Sequence, residues 1–207
     1  MGKILEVKDL SVSFDVRGGL LLRSIGTVKA VDNISFSINK GEILGVVGES
    51  GCGKSTVARL VLRLIEPDNG SVWFNKTDIL KLSKKEIRQQ RRHMQMVFQD
   101  PYSAMDPRYT IFRSLCEPFQ IQGVKLKKEA LRKKVDGLLE LVGLNSEHGF
   151  SYPHELSGGQ KQRADIARAL ALSPQFIILD EPTAALDVSV QAQIIKLLED
   201  IRERLNL

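Results

Sequence analysis

Apolar and polar positions alternate through the first forty residues. Ile4, Leu5, Val7 and Leu10, then Val12 and Phe14, predict one or two strands. Val31, Ile34, Phe36 and Ile38 predict another, half-buried strand. Arg17 to Gly26, with Gly18, Gly19 and Gly26, reads as a loop, and Asn39-Lys40-Gly41-Glu42 as a turn. Ile43-Leu44-Gly45-Val46-Val47 is continuously apolar, as in a strand buried on both faces. A glycine-rich loop follows. Val57, Leu60, Val61 and Leu64 then recur at helical spacing, predicting a helix from Lys54 to Ile65 that ends before the turn Pro67-Asp68-Asn69-Gly70. Ser71 to Phe74 reads as a strand, Ser83-Lys84-Lys85-Glu86 as a capping box, and Met94 to Phe98 as a short apolar strand.

Residues 100–155 change character. Short amphipathic helices are broken by Pro101, Pro107, Pro118 and Pro153. The clearest runs from Lys127 to Val142, with Leu131, Val135, Leu138, Leu139 and Val142 on one face, and the region reads as a helical insert. Ser157 to Leu172 is a glycine-led helix, Phe176 to Leu179 a second buried strand, and Val190, Ile194, Leu197, Ile201 and Leu205 mark a last helix.

The length of 207 residues suits one domain, or one domain with a small helical insert, and 43% hydrophobic residues suffice for a core. A net charge of +5 and a pI near 9.2 admit nucleotides, nucleic acid or an anionic surface as partners. The basic residues run along helix faces, Lys84 to Arg92 and Lys125 to Lys134, without interleaved aromatics, so no nucleic-acid partner is expected. Cys52 and Cys116 form no CxxC pair, which predicts neither a disulfide framework nor a metal cluster and suits a reducing compartment. Lys3, Glu6, Lys8 and Asp9 interrupt the start, unlike a signal peptide. No apolar run approaches the ~20 residues that cross a bilayer, so a membrane role requires spans from other chains.

Three segments carry chemistry. Gly48-Glu49-Ser50-Gly51-Cys52-Gly53-Lys54-Ser55, followed by Thr56, fits GxxxxGK[ST]. Its glycines let backbone N–H groups turn inward on phosphate oxygens, and a following helix adds its positive end. Lys54 places a charge on the β- and γ-phosphates, and the Ser55 hydroxyl is a hard ligand suited to Mg²⁺. Asp180 and Glu181 end an apolar strand, where α/β folds present ligand-binding groups. Asp180 is the candidate Mg²⁺ ligand, through water, and Glu181 the candidate for orienting or deprotonating the water that attacks the γ-phosphate. Ser157-Gly158-Gly159-Gln160 opens a helix that Ser157 can cap, a second N-terminus ready for an anion.

With these motifs the whole chain resembles the ABC ATPases. Leu156-Ser157-Gly158-Gly159-Gln160 looks like that family's signature, which implies that it closes over the ATP held by a partner subunit's phosphate loop. Gln99 matches the Q-loop glutamine, implying contact with Mg²⁺ or the attacking water and a link to the helical insert that docks on membrane subunits. Ala185-Leu186-Asp187 matches the D-loop. Val31-Asp32, the GESGCGKST loop, Phe98-Gln99-Asp100-Pro101, Tyr152-Pro153-His154-Glu155 and Asp187 to Gln193 narrow the resemblance to the dipeptide/oligopeptide importer branch, which also includes nickel, glutathione and some oligosaccharide importers.

The expectation is an α/β fold: a P-loop NTPase core with a mostly parallel sheet (1–99 and 156–207), an N-terminal antiparallel β subdomain and a helical subdomain (100–155), with the family's last strands beyond the chain. The resemblance implies ATP and Mg²⁺ as cofactors, and Lys54, Gln99 and Glu181 as catalytic residues. It implies a second ABC ATPase subunit, identical or related, in a head-to-tail dimer, permease subunits, and indirectly a substrate-binding protein. It also implies a peripheral location on the cytoplasmic face of the membrane. The alternatives are a soluble, non-transport ABC ATPase and a non-hydrolysing nucleotide switch.

Three departures stand out. The family's switch histidine lies beyond the D-loop helix, whereas His93, His148 and His154 all precede Asp180, so the chain reads as a fragment with impaired hydrolysis. The usual adenine-stacking aromatic is replaced by Ile25, with Phe14 as the possible substitute. Asp165 occupies a signature-helix position where the family has a small or apolar residue.

Overall fold

The early alternation folds into two long antiparallel strands, β1 (Lys3–Gly18) and β2 (Arg23–Asn39). They pair from Lys3↔Asn39 to Gly18↔Arg23, with bulges that absorb the breaks in alternation near Leu10. The structure is a computed structural model that describes residues 2–18, 23–100, 104–184 and 186–207, with no side chain described over 17–25. Two compact units divide the chain, Met1–Ile87 and Arg88–Leu207.

In the first unit β1 also pairs with β3 (Asn69–Phe74), which turns back onto β4 (Thr77–Asp78), giving the order β2-β1-β3-β4. Leu5 lies opposite Phe74 and Val7 opposite Val72, all buried, so one face of this antiparallel sheet is the unit's core. Helix α1 (Lys54–Val61) buries Ala58, Leu60 and Val61. It is shorter than the apolar spacing suggests. Arg63 adopts φ 51° and donates to the carbonyls of Ile79 at 2.9 Å and Leu82 at 2.6 Å, so a tertiary anchor stops the helix. Helix α2 (Lys84–Gln90) begins at the expected capping box. The Ser83 N–H donates to Glu86 Oε2 at 2.8 Å, and the Glu86 N–H returns to Ser83 Oγ at 3.3 Å.

Two expectations for this unit fail. Residues 43–47 lie in no strand, and Ile43 and Val47 are 64% and 96% exposed. An apolar run records what residues can bury, whereas a strand also needs a partner backbone, and no described strand pairs with this one. The loop expected over 17–26 gives way to strand at 17–18 and 23–26; residues 19–22 lie outside the described residues. Strand pairing overrides the glycines there.

In the second unit β5 (Met94–Val97) pairs in parallel with β6 (Phe176–Leu179), Met94 opposite Phe176 and Val97 opposite Leu179. Helices α3 (Ile111–Ile121), α4 (Lys128–Leu141), α5 (Gly158–Leu170) and α6 (Val188–Leu205) supply most of its core. Ile111, Leu115, Val135, Leu139, Val142, Ala164, Ala167 and Ile194 are all essentially inaccessible there. The apolar face read from Leu131 to Val142 is the face that packs. Pro118 does not break α3 but lies inside it, three residues from its end. One lost ladder bond near a C-terminus is offset by the buried face of Ile111, Leu115, Cys116 and Phe119. Strand β6 is half-buried rather than buried, with Leu179 39% exposed, because a pair of strands covers only part of each face.

Candidate functional site

In the first unit the segment from Gly48 to Gly53 curls into a tight loop ahead of α1. The Cys52 N–H donates to the Glu49 carbonyl at 3.3 Å, and Lys54 Nζ donates to the carbonyls of Gly48 and Glu49, each at 2.9 Å. Gly53 is the N-cap of α1 in the left-handed conformation, φ 99°, and a Cβ there would lie 2.4 Å from the Ala30 carbonyl oxygen. Only glycine satisfies both conditions. With no side-chain cap and no acidic residue in its first turn, α1 keeps its positive end suited to an anion. Ser55 and Thr56 stand in that turn, while Glu49, Ser50, Gly51 and Cys52 are exposed around the loop. The helix after the motif is present; the strand expected before it is not.

In the second unit the parallel register of β5 and β6 brings Gln99, Asp180 and Glu181 to one sheet edge. Asp180 is held by its backbone N–H to the Val97 carbonyl at 3.1 Å and is only 8% exposed. Glu181 follows in the left-handed region, φ 47°, a conformation that costs a non-glycine residue about 1 kcal/mol. That turn aims its carboxylate at Gln99, whose Nε2 donates to Glu181 Oε2 at 2.9 Å. Gln99 and Glu181, 82 positions apart in the chain, are thus hydrogen-bonded. Among the described residues no three His, Cys, Asp or Glu groups cluster as a metal cage. The oxygen donors here suit Mg²⁺ instead, which takes one or two protein ligands and fills its shell with water and phosphate oxygens.

Ser157 caps α5 in a complete box. Gln160 N–H donates to Ser157 Oγ at 3.3 Å, and Ser157 N–H donates to Gln160 Oε1 at 2.9 Å. Gln160 Nε2 lies 3.2 Å from His148 Nε2. The two glycines between them meet the start of α6: a Cβ on Gly158 would stand 3.3 Å from Leu186 Cδ2, and one on Gly159 only 2.7 Å from Val190 Cγ1. A side chain at Gly159 would therefore have to displace Val190 inside this chain, a constraint not visible in the motif. Gln191 holds the turn ahead of α6, its Nε2 donating to the Thr183 carbonyl at 3.2 Å and the Leu186 carbonyl at 2.9 Å. Leu186 and Asp187 of the expected D-loop lie here, and Ala185 is outside the described residues. For the adenine position, the side chain of Ile25 is outside the described residues and Phe14 is 41% exposed on β1.

Sequence reading missed the roles of His148, Val190 and Gln191. Val190 and Gln191 were visible as helix residues, but nothing local indicated that Val190 faces the signature turn or that Gln191 holds the turn ahead of α6.

A glycine-rich phosphate loop, an Asp-Glu strand end and a capped Leu-Ser-Gly-Gly-Gln helix define an ATP-binding cassette. Residues 31–184 match the ABC transporter family, and the chain belongs to it. Over 99% of its length it is 50% identical to the oligopeptide transport ATP-binding protein AppF and 48% identical to OppF, both of Bacillus subtilis (strain 168). The chain spans 62% and 65% of those two relatives. The cassette MJ0796, solved as a post-hydrolysis dimer bound to ADP and Pi, matches 97% of this chain and 83% of its own at TM-score 0.84 and 29% identity. Among the described residues no helix is long and apolar enough to cross a membrane.

Proposed function

We propose that this chain is the ATP-hydrolysing motor subunit of an ABC importer for peptides. The observation that carries the reading is the 50% identity to an oligopeptide transport ATP-binding protein over nearly the whole chain. It is supported by the curled phosphate loop and by the Gln99–Glu181 hydrogen bond. The backbone of Gly48, Glu49, Ser50, Gly51, Cys52 and Gly53 receives the phosphates, with Lys54 as the charge on the β- and γ-groups and Thr56 completing the helix end. Ser55 and Gln99 would hold Mg²⁺ directly and Asp180 through water, and the ion would supply charge neutralisation at the phosphate oxygens. Glu181, oriented by Gln99, accepts a proton from the attacking water.

A second ABC ATPase subunit presents its own signature segment, equivalent to Ser157, Gly158, Gly159 and Gln160, to this nucleotide. Closure of that head-to-tail dimer moves permease subunits that dock on residues 100–155, and a substrate-binding protein delivers the peptide. The chain works peripherally on the cytoplasmic face of the membrane. Steady-state ATP turnover with Mg²⁺, measured at several protein concentrations beside Lys54→Ala and Glu181→Gln, tests the reading. Turnover rising more than linearly with concentration and lost in both variants is expected. Measurable turnover that is equal in wild type and in Lys54→Ala or Glu181→Gln would overturn the hydrolytic role of those residues.

A further inference from the structure

The turn Ser146–Phe150, ahead of the signature segment, is seated on the helical subdomain. Gly149 is buried in it, and a Cβ there would stand 3.4 Å from Leu139 Cδ1 on α4 and 3.7 Å from Phe112 Cβ on α3. Backbone bonds close the turn around His148. Its N–H donates to the Asn145 carbonyl at 3.0 Å, and its own carbonyl accepts from the Ser151 N–H at 3.2 Å. The ring is thereby fixed between two residues. Nδ1 lies 3.1 Å from the Asn145 backbone nitrogen and 3.2 Å from the Asn145 carbonyl oxygen, and Nε2 lies 3.2 Å from Gln160 Nε2.

The place of the proton on this ring follows from its neighbours. The Ser157 N–H can only donate, so the Gln160 oxygen that it meets at 2.9 Å is fixed, and Gln160 turns its NH2 toward His148. That NH2 needs an acceptor, which His148 Nε2 provides only when the ring proton sits on Nδ1. The Nδ1–H then donates to the Asn145 carbonyl. The opposite tautomer accepts from the Asn145 N–H at Nδ1 but sets N–H against NH2 at Gln160. Asn145 is exposed, so water can serve its N–H, whereas His148 and Gln160 are half-buried, where an unmet donor costs more. The balance favours the Nδ1–H tautomer.

We propose that His148 is a positioning residue for the signature turn: through its unprotonated Nε2 it holds the Gln160 amide, and with it the box that presents Ser157, Gly158 and Gly159 at the helix N-terminus. Because its turn is seated on α3 and α4, His148 also joins the helical subdomain to the signature. The effect on turnover rests on the hydrolytic reading above; the tautomer and its bond to Gln160 do not.

Nuclear magnetic resonance of the ring nitrogens in the full chain reads the tautomer directly, with His148 told from His93 and His154 by substitution. A proton on Nδ1 of the neutral ring is expected, and one on Nε2 overturns the proposal. Two variants then separate the turn from the signature. His148→Asn keeps a polar atom near Nδ1, and His148→Gln keeps an acceptor near Nε2. In His148→Asn the resonance of the Gln160 side-chain amide should move and kcat should fall about fivefold, as loss of one hydrogen bond gives, with KM for ATP within about twofold. His148→Gln should hold kcat within about twofold of wild type. An unchanged kcat in His148→Asn overturns the positioning role. Equal losses in both variants, or losses that track their urea midpoints, reduce His148 to a structural residue and also overturn it. If the wild-type chain shows no turnover, the hydrolytic reading falls, and the ring tautomer with the Gln160 amide resonance decides the role of His148.

Discussion

Gly159→Ala sets packing inside the chain against function in the signature turn. The new Cβ would stand 2.7 Å from Val190 Cγ1, well inside carbon–carbon contact, with α5 and α6 both committed to the core through Ala164, Ala167 and Ile194. Overpacking of this kind costs about 1–3 kcal/mol. Replacing a helical glycine returns about 0.5–1 kcal/mol, less so near a helix start. A net loss of about 1–2 kcal/mol remains, which lowers a urea midpoint by roughly 0.5–1 M at an m-value near 2 kcal/mol/M. Val190→Ala removes the obstructing methyl, so the double variant should regain about 1 kcal/mol relative to the sum of the singles, measured as a double-mutant cycle. Gly158→Ala, with 3.3 Å to Leu186 Cδ2, should cost less than Gly159→Ala. Additive singles, or equal losses at the two glycines, would refute the packing argument. A double variant that is stable yet inactive would show that Gly159 also serves the nucleotide directly.

Leu139→Ala, at a fully buried position in the second unit, should cost about 2–5 kcal/mol in urea unfolding. Ser157→Ala removes one arm of the capping box on α5 and should cost about 1 kcal/mol by the same measurement, with Ser157→Gly milder. A thiol reagent should label exposed Cys52 rapidly and leave Cys116 untouched until unfolding, since burial both shields that thiol and raises its pKa. Mg–ATP should slow the Cys52 reaction, and equal labelling with and without nucleotide would count against phosphates occupying the loop. The raised pKa of Asp165, caused first by desolvation, means that its protonated form adds stability below the unfolded pKa, lost as pH rises through the native value. Asp165→Asn should therefore gain on wild type between acid and neutral pH, and parallel stability curves would refute that sign.

The sequence by itself determined whatever depends on short-range pattern. The capping boxes at Ser83 and Ser157 follow from residues three apart. The faces of α4 and α6 follow from helical spacing, and the strands from Met94 and Phe176 from short apolar runs. The phosphate-loop, strand-end and signature motifs were likewise legible, because each is a contiguous solution to a local chemical problem. Tertiary structure decided what depends on partners distant in the chain. It joined Gln99 to Glu181 through the parallel register of two short strands, and it set Val190 against Gly159. It left residues 43–47 outside any strand despite their apolar run, because a strand needs a partner backbone as well as apolar side chains. It carried α3 through Pro118 because buried contacts outweigh one missing backbone bond. Asp165, without explanation as a residue in a row, is seen in the fold to be buried beside Arg168, since a buried charge is intelligible only with the groups that share its burial.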